Sequence, residues 1–151
     1  MRFIGIMALL SCSWAGCAIH DKFAFTLSDG TVATSSDTAS GSVNNAGFLT
    51  LSDDTWSLTM DLQGLAPGNH AIAASSGELQ ISRASTGETY MTSLGGSCDV
   101  WLDAHGSSNG SPITGHFTCT GLTSTKANTV DVSAGTFEVP ISDPANNPLH
   151  H

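Results

Sequence analysis

From Trp56 to Leu62 the chain alternates large apolar and small polar residues without a break: Trp56, Leu58, Met60 and Leu62 interleave with Ser57, Thr59 and Asp61. A period of two belongs to a strand with one face in a core and the other in water. It cannot be laid on a helix, where successive residues turn by about 100°. Shorter runs repeat the pattern. Phe23, Phe25 and Leu27 lead to Ser28-Asp29-Gly30, and an Asp-Gly pair suits a tight reversal into Thr31-Val32-Ala33-Thr34. Phe48 to Leu51 runs through Ser52-Asp53-Asp54 into the long alternating stretch, and further strands are expected at His70 to Ala74, Glu78 to Ala84 and Tyr90 to Leu94.

The segment Ser35 to Asn45 offers almost nothing to bury and reads as a loop or a ragged edge. A last pair of strands, Thr129 to Val132 and Thr136 to Ile141, is expected to join at Ser133-Ala134-Gly135. About ten short strands with no convincing helix between them predict an all-β fold. An antiparallel β-sandwich with one disulfide is the preferred form and a β-barrel the alternative. With 151 residues, of which only 11% are charged, one domain suffices.

The formal charge of −9, from 4 Lys+Arg against 13 Asp+Glu, repels phosphate backbones and removes nucleic acid from the expected partners. It also gives no polybasic route to an anionic membrane, so attachment there requires a hydrophobic or lipid anchor.

The N-terminus supplies a candidate for that anchor. Met1-Arg2 is a minimal basic region, Phe3 to Leu10 an apolar run too short to span a bilayer, and Ser11 to Gly16 a small-residue stretch before Cys17. Ser13-Trp14-Ala15-Gly16-Cys17 resembles the lipobox of bacterial lipoproteins, with Trp14 where an aliphatic residue is usual, and Leu9-Leu10-Ser11-Cys12 is a rival match. The resemblance implies lipidation at Cys17 with acyl chains such as palmitate. Ala18 and Ile19 lack the Asp of inner-membrane retention, which implies the outer membrane or cell surface. The expected organisation is a signal peptide over 1–16, anchor and tether over 17–21, a β domain over 22–143 and a tail over 144–151.

Cys98 and Cys119 are then the only pair inside the domain, and an even pair in an exported chain predicts a disulfide. With Gly106 to Ser111 as a loop, antiparallel pairing sets Cys98 opposite Cys119, Val100 opposite Phe117, Leu102 opposite Gly115 and Ala104 opposite Ile113. That face is apolar or small. The other carries Asp99, Trp101, Asp103 and His105 against Thr114, His116, Thr118 and Thr120, with Trp101 across from His116.

An aromatic ring flanked by carboxylates suits the CH faces and hydroxyls of sugars, so Asp99, Trp101, Asp103 and His116 are the candidate ligand-binding residues. The competing reading is that Trp101 packs beneath a second sheet or a loop. His105 and His116 near Asp103 resemble a transition-metal ligand set, yet they are offset along the ladder and have no His-x-His support. No metal and no cofactor is expected. No His-Glu-x-x-His motif, phosphate-binding glycine loop or free domain cysteine is present, so no catalytic residue is assigned and an enzyme is not expected.

Two further resemblances bear on the fold. Leu65-Ala66-Pro67-Gly68-Asn69-His70 resembles the Gly-Leu-x-Pro-Gly-x-His loop of copper/zinc superoxide dismutases and chordin-type β domains, but Ala71 and Ile72 stand where the metal-binding His-x-His should follow. The loop transfers no activity. Gly115-His116-Phe117 and Gly135-Thr136-Phe137, with the Val130 to Val139 alternation, resemble uncharacterised bacterial lipoprotein β domains with a terminal Gly-x-Phe motif. What these readings imply is an envelope-anchored structural or interaction lipoprotein, or alternatively a module for a glycan or small ligand. An envelope protein or a glycan would be its partner.

Overall fold

The computed structural model describes residues 21–35, 39–43, 48–62, 66–105 and 112–140. The signal, Cys12, Cys17, Leu65, the Gly106 to Ser111 loop and everything from Ile141 onward lie outside the described residues.

Among the described residues, eleven antiparallel strands form one hydrogen-bonded sheet. They are β1 Lys22–Leu27, β2 Val32–Thr34, β3 Ser40–Val43, β4 Phe48–Ser52, β5 Trp56–Asp61, β6 Gly68–Ala73, β7 Leu79–Arg83, β8 Glu88–Met91, β9 Ser97–His105, β10 Pro112–Ser124 and β11 Thr129–Pro140. The main path runs β2-β1-β11-β10-β8-β7-β5-β4-β3, with β9 on β10 and β6 on β9. The expected all-β antiparallel class is what forms, and the sheet curls like a half-barrel.

The curl follows from the alternation. Phe23, Phe25, Leu27, Leu49, Leu51, Leu58, Met60, Leu79, Ile81, Phe117 and Val139 are all buried on the inner face. Phe25 on β1 meets Trp56 on β5 edge to face at 5.2 Å between ring centroids, although several strands separate them in sheet order. Burying such side chains contributes about 1.5–3 kcal/mol each, which is what drives the two halves of the sheet together.

The sheet forks along β10. Its first part pairs with β9 through Thr120↔Ser97, and its last two residues, Thr123 and Ser124, pair with Met91 and Tyr90 of β8. The handover occurs at Gly121, whose φ of 68° and N–H bond to Asp131 Oδ1 (2.7 Å) turn the strand from one neighbour to the other. A β-carbon on the adjoining Gly96 would collide with the Gly121 backbone, so only glycine lets the chains cross there.

One local expectation is sharpened, in favour of the edge over the loop, and two change. The Ser35 to Asn45 stretch contains edge strand β3, because pairing Ser40↔Ser52 through Val43↔Leu49 uses backbone groups and needs no apolar side chain. Gly41 donates its N–H to Asp21 Oδ2 at 2.7 Å and pins that edge. Ser133-Ala134-Gly135 is no turn: β11 runs unbroken from Thr129 to Pro140, and its small residues lie where Phe117 packs. Ala104 pairs with Thr114 rather than Ile113, since the ladder shifts by one residue beyond Gly115↔Leu102.

Candidate binding face on the β9–β10 hairpin

The hairpin is held from its inner side. Cys98 and Cys119 face each other and are disulfide-bonded, as the register requires. The next rungs bury Val100 against Phe117 and Leu102 against Gly115.

β11 adds a second lock. Gly115 pairs with Phe137 and Phe117 with Gly135, so the two Gly-x-Phe motifs lie antiparallel and each ring covers the other's glycine. A β-carbon on Gly135 would enter the Phe117 ring, and one on Gly115 would strike both Phe137 and the Trp101 carbonyl. The motif is thus a reciprocal packing device in which an aromatic ring shields the bare backbone of a strand glycine.

The outer side of these rungs presents the predicted residues. Trp101 and His116 stack with centroids 4.9 Å apart and planes 8° from parallel. Trp101 is half-buried between His116 and Asn69 of β6 rather than enclosed in the core.

The ladder shift supplies the third member. Asp103 is the extra residue between Leu102↔Gly115 and Ala104↔Thr114, and this β-bulge brings its carboxylate onto the imidazole: His116 Nδ1 to Asp103 Oδ2 is 3.0 Å. A carboxylate can only accept, so Nδ1 carries the proton and Nε2 remains to meet a ligand. With the two side chains 48% and 53% exposed, water screens the pair and it adds little stability. Its consequence is orientational, since the bond fixes the ring plane that stacks on Trp101.

Of the four candidates, Trp101, Asp103 and His116 come together, while Asp99 lies on the same face one rung away, opposite Thr118 and Ala71. The His105 side chain falls outside what is described. Among the described residues no group of three or more His, Cys, Asp or Glu is placed to hold a metal. The Pro67-Gly68 stretch opens β6, and His70 Nε2 meets Ala66 O at 2.6 Å, closing its own turn.

No family model, curated protein or solved structure matches the chain.

A second concavity escaped the sequence reading. It lies where the turns before β5 and after β7 flank a row of hydroxyls, and includes Arg83, one of the chain's 4 Lys and Arg residues. A lone cation after an alternating strand carried no signal until the ladder placed it directly across from Trp56.

Proposed function

We propose that this chain is an exported, lipid-anchored interaction module of the bacterial cell envelope, without enzymatic activity, and that the outer face of β6, β9 and β10 is its working surface. The observation that carries this reading is the Trp101–His116 stack, a half-exposed aromatic pair. Aromatic side chains concentrate binding energy where they are exposed and pre-ordered. The disulfide and the Gly–Phe interlock beneath it supply that rigidity.

The anchor belongs to the same proposal. If Cys17 carries the lipid, a tether of five residues reaches at most ~17 Å, which sets the Lys22 end of β1 close to the membrane. Lys22 shares its rung with Glu138, so the Asp103 end of the hairpin lies on that side as well. Metabolic labelling with a lipid probe tests the anchor: a Cys17→Ser variant should lose the label, and label retained there but lost in Cys12→Ser would move the site to Cys12.

A second reading, that the partner is a glycan, is favoured by the stacked, near-parallel rings edged by a carboxylate, which offer apolar surface to a sugar's CH groups and an acceptor to its hydroxyls. Trp101→Ala separates the two readings. Binding lost on a glycan array at unchanged melting temperature selects the glycan; an unreactive array with loss of an envelope-protein crosslink at Trp101 selects the protein partner.

A further inference from the structure

The outer face of the other half of the sheet carries a regular feature. Ser40, Ser52, Ser57, Ser82 and Thr89 are successive cross-strand partners on β3, β4, β5, β7 and β8, one hydroxyl per strand on a single rung. Adjacent strands lie about 4.8 Å apart, so the row is an evenly spaced line of groups that both donate and accept. Ser82 Oγ and Thr89 Oγ1 are 3.1 Å apart, and Gln80 Nε2 donates to Ser82 Oγ at 3.1 Å.

At Ser57, Ser82 and Thr89 this row forms part of a cleft of about 200 Å³, lined also by Asp53, Trp56 and Arg83. The Arg83 guanidinium carbon stands 5.3 Å from the Trp56 ring centroid. Its Nε is buried with no hydrogen-bond partner. Native structures rarely leave such a donor unmatched, and a side-chain rotation that carries it to a ligand oxygen breaks no hydrogen bond of that N–H. The Asp53 carboxylate is oriented by the Thr55 and Trp56 N–H groups, both at 2.8 Å from Oδ1.

We propose that this cleft binds one neutral sugar residue. Its volume falls below the range of about 300–1,000 Å³ typical for larger ligands and suits a single ring. Three hydroxyls, from Ser57, Ser82 and Thr89, on an otherwise mainly apolar wall suit a sugar ring, which presents both hydroxyls and CH groups. The overall charge of −9 disfavours an anion, and Arg83 on its aromatic ring disfavours a cation. The site is separate from Trp101 and does not rest on the glycan reading of that face.

The test is an amide and arginine-Nε NMR titration of the full exported chain with glucose, N-acetylglucosamine and glucuronate, each to about 50 mM, where millimolar affinities are resolved. The expected result is shifts at Ser57, Ser82, Thr89 and the Arg83 Nε–H with the neutral sugars. Ser82→Ala or Thr89→Val should weaken binding about five-fold or more, the factor for one lost hydrogen bond, and Trp101→Ala should leave it unchanged. Having two hydroxyl variants guards against one that misfolds. No shifts with any sugar, shifts centred on Trp101 and abolished by Trp101→Ala, or tighter binding of glucuronate would each overturn the proposal.

Discussion

The two halves of the curled sheet solve the same packing problem differently. The β4–β5–β7–β8 half is regular: its ladders from Phe48↔Asp61 to Arg83↔Glu88 run without a shift, and inner and outer residues alternate as the sequence does. The β9–β10–β11–β1 half is irregular, with register shifts at Thr114/Gly115, Phe117/Cys119, Cys119/Leu122 and Thr26/Leu27. Regularity yields an even surface, here a line of hydroxyls. Irregularity gathers chemically distinct side chains, as when the bulge delivers Asp103 to His116. The cost is local pairing, and in this half a disulfide and two ring-on-glycine contacts offset it.

The largest effects should fall on that interlock. Phe117→Ala should cost about 3–5 kcal/mol, as a buried aromatic does, and Gly135→Ala about 1–3 kcal/mol, because its new methyl enters the Phe117 ring. In the Phe117→Ala background, Gly135→Ala should lose most of its cost, and a double-mutant cycle by denaturant unfolding reads the coupling directly. Additive costs would mean that the ring and glycine do not define each other. Ser57→Ala, in the regular half, should stay within about 0.5 kcal/mol.

Reducing Cys98–Cys119 should come next. The bond spans a sequence separation of 21, for which chain entropy gives about 3 kcal/mol. Intact mass should rise by two hydrogens on reduction, while the far-ultraviolet dichroism of a β protein persists at room temperature. Complete unfolding on reduction would show the irregular half to be less self-sufficient than its core implies.

The regular half has its own weak point at Thr92, which is fully buried and whose Oγ1 accepts the Leu79 N–H at 3.1 Å. Thr92→Val keeps the shape and strands that donor, so a loss of about 1–3 kcal/mol is expected from the melting curve. An unchanged melting temperature would show that the hydroxyl is dispensable.

The smallest effect is a pH dependence. Hydrogen bonds from Asn128, and then Ser124, hold the Glu88 carboxyl below its ordinary 4.5. A carboxyl depressed in the folded state contributes stability that is present above 4.5 and fades as pH falls through its lower folded value. Glu88→Gln should therefore lower stability slightly near neutrality and flatten the fall on the acid side, where the variant and the parent chain converge. A profile identical to that of the parent chain would remove Glu88 from the acid response.

Much of this was legible in the chain. The Trp56–Leu62 alternation, the Asp29-Gly30 reversal and the Asp53-Asp54 turn are local, and local sterics and solvent preference decide them wherever they occur. The two cysteines and the amphipathic pattern around them also defined the hairpin register from Cys98↔Cys119 to Leu102↔Gly115, because a one-residue slip would have turned every apolar side chain outward.

Beyond Leu102 that logic stops. The bulge at Asp103, the continuity of β11 through Ser133-Ala134-Gly135 and the fork at Gly121 were decided by tertiary structure. So was the meeting of Arg83 with Trp56. Each depends on which strand lies alongside and how large its side chains are. Alternation says which face a residue turns to the core, but only the packed neighbour decides whether a glycine makes a turn or a bed for a ring.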